Sequence, residues 1–212
     1  MKANLLLIVW FVLAGCTVRP VPLQIEGIER SAAVRVHDLR PAEEKQAKTF
    51  SRLVTSSAYG IYRVAEDAGG PSPIRLLQHR AFEKLGEPLE LTVHHLVVYL
   101  NWQAEGQSQA LAVGIASVGG VGVSHTPPAP GTGHSLADRA VFDSLAAKEH
   151  QRAWYSREEN PKSGSVYVIY VDTEINGKRV FTRTLAPLER KKNALAPANA
   201  LEAAFAFHLT QY

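Results

Sequence analysis

The chain has 212 residues, 46% of them hydrophobic, with 23 Lys and Arg against 20 Asp and Glu for a net charge of +3. That length suits one well-packed domain and is marginal for two, and the apolar content can build its core. The weak positive balance excludes the electrostatic footprint of a nucleic-acid binder. A single cysteine excludes an internal disulfide and a cysteine-built metal site.

Lys2 gives a short positive start, and Leu5 to Leu13 form an uninterrupted apolar run. The run is too short to span a bilayer, for which a helix needs about 20 residues, but it suits a signal peptide. It closes on Leu13-Ala14-Gly15-Cys16, which resembles the lipobox of bacterial lipoproteins. The resemblance implies diacylglycerol on the Cys16 sulfur, cleavage before Cys16 and a third acyl chain on the new amine. It also implies an outer-membrane location, because Thr17 stands where Asp marks retention at the inner membrane. The segment after Cys16 carries Pro20 and Pro22 and lacks helical periodicity. Its eight residues reach about 25 Å at roughly 3.3 Å each, enough to hold a domain clear of lipid headgroups. The expected organisation is a lipoprotein signal peptide over 1–15, an acylated Cys16 with its stalk over 16–24, and a single periplasm-facing α+β domain over 25–212.

Ala33 to Leu39 alternates Val34 and Val36 with Arg35 and His37, as a half-buried strand does, and stops at Asp38-Leu39-Arg40-Pro41. Thr49 to Val64 fits a helical face or two strands; its Thr, Ser, Val and Tyr content with Gly60 favours strands. Ser72, Pro73 and Gly86 read as the cap, first turn and end of a helix that buries Ile74, Leu77, Ala81 and Leu85. Leu89 to Trp102 is a long strand. Simple alternation puts Leu89, Leu91, Val93, Val97 and Tyr99 on one face and Leu96, Val98 and Leu100 on the other.

Gln109 to Val118 is a further strand candidate that runs into Gly-rich chain, and 125–134, with three prolines and two glycines, reads as an irregular loop. Ser135 with Asp138 resembles a capping box, predicting a helix to about Trp154. Val166 to Ile175 and Lys178 to Leu185 flank Asn176-Gly177, the signature of a two-residue hairpin, and this register sets Glu174 opposite Arg179 as an ion pair. A last helix starts near Asn199 and buries Leu201, Phe205, Leu209 and Tyr212. This order predicts an α+β two-layer sandwich, a mixed, mostly antiparallel sheet with helices on one face. Lipobox, first strand ending in Asp38-Leu39-Arg40-Pro41, following helix, late hairpin and terminal helix together resemble small envelope lipoproteins of the YajG kind, and in general arrangement the LptE-like ones. The 125–163 stretch is an insertion relative to them.

Common catalytic patterns are missing: there is no Gly-x-Ser-x-Gly elbow, no Ser-x-x-Lys to accompany Lys162-Ser163-Gly164, and no Lys-Ser/Thr after Gly119-Gly120-Val121-Gly122. His94 and His95, adjacent on a strand, point to opposite faces and cannot share an ion; His95 reads as a core histidine bonded to a neighbour. His125 and His134 lack an accompanying carboxylate between them, and Glu43-Glu44 and Glu158-Glu159 sit in charged segments that read as solvated. Neither metal nor cofactor is expected. The expectation is a non-catalytic binding protein anchored to the membrane through acylated Cys16. It would contact an envelope protein complex, or a lipid or glycan, through His125, His134, Trp154 and Tyr155 and the irregular segments around them. The alternatives are a periplasmic hydrolase whose site comes from scattered loops, and a structural subunit of a larger envelope machine.

Overall fold

One long strand organises the molecule. The computed structural model describes residues 25–45, 50–56, 59–66, 72–86, 89–103, 133–155, 165–188 and 196–212. In chain order these form β1 (Arg35–Asp38), β2 (Phe50–Thr55), β3 (Tyr59–Val64), α1 (Pro73–Leu85), β4 (Glu90–Gln103), β5 (Gly133–Leu136), α2 (Arg139–Ser144), β6 (Val166–Ile175), β7 (Lys178–Pro187) and α3 (Ala196–Leu209). A 3₁₀ turn, Ile28–Ala33, precedes β1, and a 3₁₀ stretch, Ala146–Ala153, follows α2. The strands make a seven-stranded sheet in the order β2-β3-β4-β6-β7-β5, with β1 also on β4. Among the described residues only β1 pairs in parallel. Within 49–64, Phe50–Thr55 and Tyr59–Val64 are therefore strands rather than a helix, and the 109–118 strand candidate lies outside the described residues.

β4 shares one edge between two partners. Its start pairs with β1, from Arg35↔Glu90 to Asp38↔Val93, and its end pairs with β3, from Val64↔Val98 to Tyr59↔Gln103. The gap between them is filled by a side chain. The Glu44 carboxylate accepts the Leu96 amide at 3.1 Å and bonds His95 Nδ1 at 2.8 Å, so a main-chain donor without a strand partner stays satisfied. Opposite this gap lies a β-bulge: Val93 pairs with Thr173 and His95 with Asp172, leaving His94 as the extra residue. The bulge corrects the simple alternation. Leu91, Val93, Leu96 and Val98 share one face and one cluster, whereas Val97 and Tyr99 belong to the other.

α1 and α3 form the helical layer of this α+β sandwich. Ser72 caps α1 by accepting the Arg75 amide, Pro73 opens it, and Gly86 at φ 77° closes it with its amide on Phe82 O. Leu77 and Ala81 are fully buried. Leu85, in the last turn beside the Gly86 cap, stays 38% exposed, and Leu76 takes its place in the core. α3 begins at Ala196, three residues before the expected start, because Pro197 suits a first turn. It buries Leu201, Ala204, Phe205 and Leu209 against Ile169, Val171 and Ala186, each large side chain contributing roughly 1.5–3 kcal/mol. Arg80 closes both arms of its fork on Glu202 at 2.7 Å, tying the two helices together.

The hairpin follows its turn signal. Asn176 and Gly177 take φ 50° and 81°, the pair of positive values that a type I′ turn requires. Glu174 faces Arg179 in the register, but the guanidinium closes on Asp172 instead, one hydrogen-bonded pair away. The predicted 135–154 helix is also corrected. Ser135 lies in β5, paired with Arg183, and the cap is Asp138, which accepts the Val141 amide at 3.2 Å. The helix then breaks after Ser144, and Lys148 (φ −129°, ψ 49°) interrupts the 3₁₀ stretch.

Candidate functional site

Residues 139–155 cross the sheet face opposite α1 and α3 as a strap. Phe142 anchors it. Its ring lies 4.8 Å from Tyr170, 5.0 Å from His95 and 5.2 Å edge-on from Phe181, and the Arg152 guanidinium sits 3.6 Å over it. The far end is held through its backbone. A 3₁₀ end leaves carbonyls without partners, and here three in a row accept from the sheet: Arg152 O from Tyr170 Oη at 2.9 Å, Ala153 O from Asn101 Nδ2 at 2.9 Å, and Trp154 O from Arg183 Nη2 at 2.7 Å.

Charged groups ring this aromatic floor, each with a partner. Glu149 accepts from Arg63 at 3.0 and 3.2 Å and from the Tyr99 hydroxyl at 3.1 Å. Burial, then the Glu149 charge, push the Tyr99 phenol well above its ordinary range. Asp172 is wholly buried and receives two forks, Arg139 at 3.1 and 3.3 Å and Arg179 at 3.0 and 2.7 Å. Burial alone would raise its pKa; the bonds from Arg179 and Arg139 outweigh burial and hold it below the ordinary value. The Glu44 side chain is only 4% exposed, against the expectation of a solvated segment, because it plugs the gap in the sheet edge. At the other end of that gap Arg40 is buried between Asp38, reached at 2.9 Å by two nitrogens, and Glu66 at 2.5 Å. Burial works against the Arg40 charge, and bonds to both carboxylates restore it. The Asp-x-Arg element is thus a lock at the end of β1.

Cys16 and His125 lie outside the described residues. His134 is a β5 residue rather than a loop residue: it pairs with Thr184, bonds its hydroxyl at 2.9 Å and stacks on Phe207 at 4.8 Å. Its burial depresses its pKa. Trp154 and Tyr155 meet at the rim of the second face, half-buried, with Trp154 5.4 Å from Tyr59 and the Tyr155 phenol pushed up to about 12 by burial. The structure therefore joins Trp154 and Tyr155 but sets His134 on the α3 side of the sheet. The bulge overturns the expected alternation of His94 and His95: Val93 and Leu96 take the α1–α3 face, and the two histidines between them go instead to separate carboxylates, His94 to Glu174 at 3.6 Å and His95 to Glu44 at 2.8 Å. Among the described residues no three His, Cys, Asp or Glu side chains converge as a metal site would require. Glu44, Glu149 and Asp172 carried no motif; their importance follows from long-range partners that spacing along the chain does not reveal. Comparisons with protein-family models, with curated proteins and with solved structures returned no match to this chain.

Proposed function

We propose that this chain is a lipid-anchored, non-catalytic cell-envelope protein that binds another envelope component in an assembly, scaffold or transport-accessory role. The lipobox-like Leu13-Ala14-Gly15-Cys16 supports the anchor, and Thr17 supports the outer membrane, with the domain facing the periplasm. The observation that carries the non-catalytic part is the use of the buried and half-buried charges. Asp172, Glu149 and Arg40 are each bonded to opposite charges inside the fold, where they hold the strap and the sheet junction. Partner contact is assigned to Trp154 and Tyr155 at the strap rim and to the Gly- and Pro-containing residues 119–132. Deleting 125–132, which stops short of Gly133 in β5, tests it. Loop closure depends weakly on length, so the variant folds, and it captures less partner from detergent-extracted native membranes. Full capture by a folded deletion variant moves the interface elsewhere.

One observation favours a hydrolase instead. The Glu44 carboxylate orients the His95 imidazole, and the His95 side chain remains 19% exposed, the arrangement of a carboxylate-supported general base. Turnover of esters, glycans or peptides by the wild type that His95→Gln abolishes would establish that reading over the binding module.

A further inference from the structure

His208, in the last turn of α3, is wholly buried between the helix and the sheet, and both ring nitrogens are bonded. Nε2 lies 2.7 Å from Thr173 Oγ1 and Nδ1 lies 2.8 Å from Thr182 Oγ1. Thr173 Oγ1 is also 2.8 Å from the Tyr212 hydroxyl, which in turn lies 2.7 Å from Thr173 O. Donor counting leaves one consistent arrangement. Tyr212 has one proton and gives it to the Thr173 carbonyl, so its oxygen accepts from the Thr173 hydroxyl. Thr173, having spent its proton, accepts from His208 Nε2–H. Nδ1 is then the bare acceptor, and Thr182 donates to it.

This chain of four groups tolerates only the neutral ring. A second ring proton would set Nδ1–H against Thr182 O–H, whose remaining acceptor is Val171 O at 3.5 Å, a long and weak contact. It would also put a charge in a site whose nearest carboxylate, Asp172, points to the opposite face of the sheet and is already engaged by Arg139 and Arg179. Thr173 and Thr182 are what β6 and β7 present to the ring; from the turn after α3 comes Tyr212, 5.7 Å away, with Lys178 of β7 5.8 Å above the Tyr212 ring, and from β5 comes His134, stacked on the neighbouring Phe207 at 4.8 Å. None offers a negative charge at neutral pH.

We propose that Thr182, His208, Thr173 and Tyr212 form a proton-operated latch, which fastens the last turn of α3 to β6 and β7 and releases it when His208 takes up a proton. Release is local, because the first half of α3 keeps its own tie through Glu202 to Arg80. Burial holds His208 near a pKa of about 4, with Asp172 pulling weakly the other way. A ring hydrated by opening returns to its ordinary value near 6.5. Closing is therefore favoured most above pH 6.5, and the advantage falls as pH drops toward 4.

Amide hydrogen exchange of the full domain, corrected for the intrinsic effect of pH, tests the latch. Between pH 7 and 4.5 the protection of 203–212 in the wild type falls by about tenfold to sixtyfold, while that of 91–101 in β4 does not. His208→Gln keeps a donor and an acceptor but cannot take a proton, so its protection of 203–212 changes less than about twofold over the same range. Unchanged protection in the wild type, an equal loss in β4, or an equal pH response in His208→Gln each overturns the proposal. If the variant does not fold, the wild-type ring decides: ¹⁵N shifts at pH 6 report a neutral Nε2–H tautomer, and an imidazolium or Nδ1–H tautomer there overturns it.

Discussion

Asp172 shows how one residue sets a pH limit on this fold. Its carboxylate is fully buried, and four N–H donors from Arg139 and Arg179 keep it ionised. Because its folded pKa lies below the unfolded one, the unfolded chain binds more protons as acid is added. The stability it contributes is complete above pH 3.8 and is lost as pH falls through the folded value. Asp172→Asn removes the charge that both guanidiniums share. Breaking a buried pair costs about 3–5 kcal/mol, and here about 2–3 kcal/mol is expected, because both arginines are partly exposed and water can take over their donors. Urea denaturation at pH 7 measures the loss. The variant's stability should also change less than the wild type's between pH 4.5 and 2.5; a parallel acid dependence would rule out Asp172 as its source.

At the scale of elements, the hairpin and the strap are held in different ways. The β6–β7 turn rests on local chemistry: Gly177 at φ 81° has the freedom a side chain lacks. Gly177→Val should cost about 1 kcal/mol or more, read as a lower denaturation midpoint with an unchanged slope. The strap rests on distant contacts. Phe142→Ala empties the space among His95, Tyr170 and Phe181 and should cost about 3–5 kcal/mol. Because the strap's carbonyls are bonded to Asn101, Tyr170 and Arg183, its loosening should raise hydrogen exchange at those three side chains' partners, Arg152 to Trp154 and the amides after them, before the α1–α3 layer responds. Simultaneous loss in both layers would show one cooperative unit instead.

For the whole molecule, the proposed function predicts where it is found. Several acyl chains at roughly 0.8 kcal/mol per buried methylene make an anchor that does not detach. The wild type should sediment with membranes, and Cys16→Ser should remain soluble or persist as an uncleaved precursor. Mass spectrometry of the mature N-terminus that finds Cys16 unmodified would sink the anchor and leave the fold untouched.

Much of the architecture was legible in the residues themselves, because local physics sets it. Ser72, Pro73 and Gly86 bound α1, Asn176-Gly177 makes the turn, and β-rich composition separates β2 from β3. The α+β class follows from the order of such elements. What the chain could not disclose depends on partners far away in sequence. The bulge at His94 shifts which side chains share a face, since one extra residue reverses a period of two. Glu44 is buried because β1 and β3 leave a gap between them on β4, and the 135–154 helix gives way to a strand, a short helix and a strap because β7 offers an edge to Ser135 and the sheet offers donors to the carbonyls of 152–154. Hydrogen bonds and ion pairs of this kind are decided only once the sheet has closed, when each buried polar group must find a partner among whatever the fold has brought within reach.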